Sequence, residues 1–166
     1  PWTLQPYNQG AIAGLGRPLN GYLILDANGD ILEQNKDWES PTICATRGEN
    51  PVFGLADGSV RSMDGALVGS MQSAISSVLK HPDGYLLADD QGNIEFVHND
   101  VKWNASGNDV VASSLGFDID EKGSCWVARW NGSQGEIIVH SIRDGQQLAS
   151  LNGHRIHDMA FNGQRI

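Results

Sequence analysis

The chain has 166 residues, of which 40% are hydrophobic and 19% charged, so it is long enough and apolar enough for a globular core and does not read as disordered. Its formal net charge is -9 with no run of Lys or Arg, which argues against nucleic acid or an anionic membrane surface as partner. No apolar run approaches the roughly 18 to 20 residues that a membrane helix needs, and no signal-like segment is visible, so a soluble protein of the cytoplasm is expected.

The 20 glycines exceed the usual share of about 7% and suit a fold with many tight turns. Residues 1–20 hold three prolines and several glycines and are expected to form an irregular N-terminal segment. Gly14-Leu15-Gly16 lacks the third glycine of a dinucleotide loop, and Pro18 breaks the helix such a loop needs. The remainder, 21–166, reads as one all-β domain. Tyr22-Leu-Ile-Leu25 and Ile31-Leu-Glu-Gln34 form a hairpin across Asp26-Ala-Asn28-Gly29, where Asn and Gly accept positive φ. Asp26, Asn28 and Asp30 touch a calcium-loop pattern, but Ile31 stands where glycine is required and Asp37 where glutamate is required.

From Pro51 the rhythm is regular. Val52–Ala56, Ser59–Ser62, Ala66–Val68, Ile75–Leu79, Tyr85–Ala88 and Asn93–Val97 are short apolar runs separated by Asp57-Gly58, Asp64-Gly65, His81-Pro-Asp83-Gly84 and Asp89-Asp-Gln-Gly92. Ala66–Leu79 is the one helix candidate. Its apolar residues do not keep a helical period, and Gly69 interrupts it, so strand, loop, strand is expected. From Gly116 to Gln164 the runs are again apolar and end on Asn-Gly or Asp-Gly turns.

Turns at Asp83-Gly84, Gly123 and Asn162-Gly163 recur about every 40 residues, the period of a four-stranded propeller blade. The expected fold is therefore a β-propeller of about four blades, each of four antiparallel strands, partial or completed by assembly. Leu151-Asn-Gly153-His154 followed by Ile156–Gly163 resembles the Gly-His and innermost strand of the WD40-repeat family. Leu67-Val-Gly69-Ser70 followed by Ile75–Val78 and His81–Gly84 resembles the same unit with Ser for His. The resemblance covers about 42–166 and implies structural roles for Gly153, His154, Asp83 and Gly84. The Trp-Asp dipeptide of the family is absent, and His140-Ser141 stands in its place.

Chemistry is sparse. His154 and His157 are three apart, a poor metal pair on a strand, and no serine lies in a nucleophile elbow. No catalytic residue, metal or cofactor is expected. Trp126 and Trp130, four apart on one strand, with Trp103, Asp118 and Asp120, are the candidate binding residues. Core packing and solvated turns are the bland alternatives for them. Cys44 and Cys125 are expected as free thiols. Two readings follow: a non-enzymatic scaffold binding a protein partner or a second copy of itself, or a lectin-like propeller binding carbohydrate through exposed Trp and Asp.

Overall fold

The computed structural model describes residues 2–97, 102–106, 112–118, 124–131 and 134–154. The described residues are all strand, turn and loop, with no helix. Four sheets follow one another along the chain, and each is a four-stranded antiparallel meander. The first comprises β1 (Thr3–Tyr7), β2 (Gly10–Gly14), β3 (Tyr22–Leu25) and β4 (Ile31–Asn35). The second comprises β5 (Thr42–Ala45), β6 (Val52–Leu55), β7 (Ser59–Ser62) and β8 (Leu67–Ser70). The third holds β9 (Ile75–His81), β10 (Gly84–Asp89), β11 (Ile94–Val97) and β12 (Lys102–Ala105). The fourth holds β13 (Ala112–Asp118), β14 (Ser124–Asn131), β15 (Gln134–Ser141) and β16 (Gln147–His154). None of the sheets closes on itself, so each is blade-like with two edges.

The expected all-β blades are thus present, and Ala66–Leu79 is strand, loop, strand as its broken period suggested. The expectation for 1–20 needs correction, because that stretch supplies β1 and β2. Its breakers are compatible with strand for local reasons. Pro6 lies on β1, an edge strand, where a missing donor costs little. Gly10 sits where a Cβ would lie 2.0 Å from the Leu25 carbonyl oxygen, so glycine is needed for β2 to approach β3. The first sheet is therefore complete, not a lone hairpin. The turn at Gly163 and the stretch after His154 lie outside the described residues.

The chain divides into two units, Pro1–Val78 and Leu79–Ile166. In the first unit, sheet one packs on sheet two. Ile12, Tyr22 and Ile24 meet Ala45, Phe53 and Leu55, all buried. Trp38, from the link between the sheets, closes the cluster. Its ring lies 5.4 Å from Tyr22 and 5.0 Å from Phe53, both edge-on, while Tyr22 and Phe53 stack at 5.0 Å. Such pairs add roughly 0.5 to 1.5 kcal/mol each beyond simple burial. Thr42 pins the backbone of the same joint. Its N–H donates to Leu15 O at 3.0 Å, and its hydroxyl donates to Gly21 O at 2.7 Å.

In the second unit the core is built around Trp103. The cross-strand pair Phe96 and Trp103 stacks at 6.1 Å, and Leu86, Ala88, Ile94 and Ile142 surround them. The Trp103 indole N–H donates to Ile142 O at 2.6 Å, which ties the third sheet to the loop after β15.

Central strands carry no spare room. A Cβ on Gly54 in β6 would stand 2.4 Å from Ile75 Cγ2 and 2.6 Å from Cys44 Sγ. Gly54→Ala is expected to lower stability by about 1 to 3 kcal/mol through overpacking. Gly153→Ala, with nothing within 4 Å, is expected to stay within about 0.5 kcal/mol of wild type. Urea unfolding of the two variants measures the contrast, and equal effects would contradict this packing.

Candidate functional site

The turns explain much of the acidic composition. Asp26 Oδ1 accepts the N–H groups of Asn28 at 2.8 Å and Asp30 at 2.9 Å, while Gly29 takes φ +89°. Asp57 accepts from the Ser59 N–H and hydroxyl. Asp64 accepts from the Ser62 hydroxyl and Ala66 N–H. Asp89 accepts from the N–H groups of Gln91 and Asn93 and from the Asn93 amide, and Asp144 accepts from the Gln146 N–H. Each carboxylate closes its own turn, so the loop is rigid without a ligand. At Asp26, Asp64 and Asp144 the bonds favour the charged form. The Asp30 N–H first of all holds the Asp26 carboxyl below its usual range. The Ser62 hydroxyl does the same for Asp64, and the Ser141 hydroxyl for Asp144.

Among the described residues no group of three His, Cys, Asp or Glu could hold a metal ion. Cys44 is a free thiol. Burial pushes its pKa up to about 12, so it is a poor nucleophile at neutral pH. Two histidines sit on the aromatic core of the second unit. His81, in β9, meets Phe96 edge-on at 5.6 Å, and its Nδ1 accepts the Asp83 N–H at 3.1 Å. His140, in β15, stacks on Trp103 at 6.0 Å and donates from Nδ1 to Gly145 O at 3.0 Å. Both rings are buried in the core.

The residues singled out by sequence are placed as follows. Trp103 is 8% exposed and committed to packing. Trp126 and Trp130 lie on β14. Trp126 is in register with Gly116 and Val139, and Trp130 with Gly135. Gly135 also pairs with Gly153, so Trp130, Gly135 and Gly153 share one row. Asp118 ends β13 opposite Ser124, and His154 ends β16 opposite Gln134. Asp83, with Pro82, forms the tight β9–β10 turn, and Gly84 opens β10. Asp120, His157 and Asp158 lie outside the described residues. Trp126, Trp130, Gly153 and His154 thus belong to one sheet, whereas Trp103 belongs to another.

Sequence reading missed the exposed apolar positions. Leu32 is 68% exposed and Trp2 59%. Leu32 is the extra residue of a bulge, because Glu33 pairs with Ile24 but Ile31 pairs with Leu25. Ile31-Leu32 directly after a closed turn was the available signal, since a strictly alternating strand would place a polar residue at one of the two.

No family model matches the chain, and no curated protein matches it. Among solved structures, the chain is similar to the computationally designed Ika8 protein, with a TM-score of 0.72 and 16% identity over 96% of this chain and 52% of that one. It is also similar to the computationally designed Ika4 protein, with a TM-score of 0.61 and 17% identity over 79% of this chain and 88% of that one. The chain spans about half the length of Ika8. At these identities the likeness is one of fold.

Tyr22 gives this region a pH signature. Burial, then the Glu33 carboxylate accepting its hydroxyl at 3.1 Å, raises the phenol from 10.0 to about 12. The folded state holds this proton more tightly than the unfolded chain does. Its stabilising contribution is full below pH 10 and is lost as pH rises toward 12. Absorbance titration should show a phenolate step near pH 12 that disappears in Tyr22→Phe. A wild-type titration without that late step would contradict the burial of Tyr22 and its bond to Glu33.

Proposed function

We propose that the four sheets are blades of a β-propeller built on the plan of the WD40-repeat proteins. On this reading the chain is a non-enzymatic scaffold for protein–protein interaction. The succession of β8, β9 and the His81–Gly84 turn supports the WD40-like plan, since the resemblance placed the Gly-His segment (with Ser for His), an innermost strand and a turn there.

The observation that carries the scaffold reading is the Asp26–Asp30 turn and the strand it feeds. The turn is fixed by its own Asp26 carboxylate. It delivers Leu32, 68% exposed, onto the edge strand β4. A rigid loop beside an exposed leucine on an unpaired edge is suited to capturing an extended segment of a partner. Asp26, Asp30, Glu33, Asp37 and Glu39 flank it in sequence with Lys36 as the one cation of the stretch 26–39, so a partner segment with basic side chains fits best. Burial of Trp103 removes one of the three tryptophans from a sugar-stacking role.

A peptide-display selection and a glycan array on the intact chain test this reading together. Enrichment of extended basic peptides is expected, with binding weakened about 10-fold or more in Leu32→Lys and falling with added salt. Glycan binding without peptide enrichment would overturn the reading in favour of the lectin-like one. Peptide binding unchanged in Leu32→Lys would place the site elsewhere and contradict the role given to β4.

A further inference from the structure

We infer that the chain carries three docking sites of the kind proposed on β4, one on each of the edge strands β4, β8 and β16, each taking an extended partner segment. The inference rests on the scaffold reading and extends it from one strand to three. It starts from a device that recurs along the chain. Among the described residues, each of these strands stands last in its sheet and pairs on one side only. Each also carries one extra residue near its start. On β4 it is Leu32. On β8 it is Val68, because Arg61 pairs with Leu67 but Val60 with Gly69. On β16 it is Leu148, because His140 pairs with Gln147 but Val139 with Ala149.

The turns ahead of the three bulges are built alike. A glycine at positive φ, Gly29, Gly65 or Gly145, closes each one. Its N–H donates to the carbonyl of the residue that opens the turn, which is Asp26, Ser62 or Ser141. A carboxylate takes the N–H just after the glycine: Asp26 holds that of Asp30, Asp64 that of Ala66 and Asp144 that of Gln146. Such a turn does not itself dictate a bulge. Asp89–Asn93 closes in the same way, with Gly92 at positive φ. Yet it joins β10 to the central strand β11 with no shift of register, and Ile94 behind it is buried.

A bulge alone discourages a neighbouring strand, and edges guarded in that way add Lys or Pro. These edges expose leucine instead. Leu67 is 61% exposed and Leu148 50%, beside Leu32 at 68%. None of the three strands contains Lys, Arg or Pro. The edge strand β12 is the contrast. It begins at Lys102, pairs with β11 without a shift, and buries Trp103. An open row of backbone N–H and C=O groups is matched by an extended backbone, and the leucine by an apolar side chain of that segment. Charge ranks the three sites. Residues 26–39 are strongly acidic, whereas Arg61 partly offsets Asp57 and Asp64 near β8, and Arg143 offsets Asp144 ahead of β16. A basic segment therefore binds β4 most tightly and β8 and β16 more weakly.

Backbone amide NMR of the intact chain, titrated with an end-blocked heptapeptide of alternating lysine and leucine, tests this. Shifts are expected first along β4 and then, at roughly 10-fold higher peptide concentration, along β8 and β16. Leu67→Lys should abolish the shifts along β8 alone, and Leu148→Lys those along β16 alone. Unchanged shifts along the other two edges are the fold control. If a lysine variant fails to fold, Leu67→Ser or Leu148→Ser decides in its place. Shifts confined to β4 at saturating peptide would overturn the inference and leave the scaffold reading standing. Shifts along β8 and β16 that survive their own substitutions would also overturn it. No shift along any edge would overturn both readings.

Discussion

Apolar side chains on both faces of a sheet are the constraint on which this architecture depends. A β-strand turns successive side chains to opposite faces, so a sheet whose strands carry apolar residues at consecutive positions needs a neighbour on each side. Leu86, Leu87 and Ala88 on β10 and Val52 and Phe53 on β6 are such runs, and all are buried. Four short strands cannot satisfy that requirement alone. Within the first unit the answer is the Tyr22, Trp38 and Phe53 rings between two sheets. Within the second it is Trp103, held by Phe96, His140 and the Ile142 carbonyl.

The turns satisfy a second demand. Among the described residues, each four-stranded meander needs three hairpin reversals, and each reversal leaves backbone N–H groups without a ladder partner. Aspartates accept those groups, from the first position of the turn at Asp26 and Asp89 and from later in the turn at Asp57 and Asp144. The acidity of the chain is thereby tied to turn closure more than to catalysis. Asp26, Asp64 and Asp144, whose charged forms such bonds stabilise, are poor general bases.

The same logic explains what the sequence made legible. The Tyr22–Asn35 hairpin stood out because Asn28-Gly29 separates two apolar runs, and the structure places β3 and β4 there. The strand, loop, strand reading of Ala66–Leu79 followed from a lost period and held in β8 and β9. The β1–β2 hairpin was hidden because its glycines look like breakers one at a time. Gly10 is required by a carbonyl of another strand, which local reading does not see. Trp103 and Trp38 were equally opaque: both lie in weakly patterned stretches, and partners remote in sequence decide that they are core. Leu4, Ile31 and Leu151 read as ordinary strand positions, and only register shows that they share faces with other apolar residues.

Stacking through Trp103 is the central claim, and exchange of the tryptophan indole protons with solvent, followed by NMR, tests it most directly. The Trp103 indole is buried and bonded to a carbonyl, whereas Trp2 is 59% exposed. The account predicts that the Trp103 proton exchanges only when the second unit unfolds, orders of magnitude later than that of Trp2. Equal, rapid exchange of both protons would mean that the third and fourth sheets are not joined through this ring, and the account of the second unit would fail.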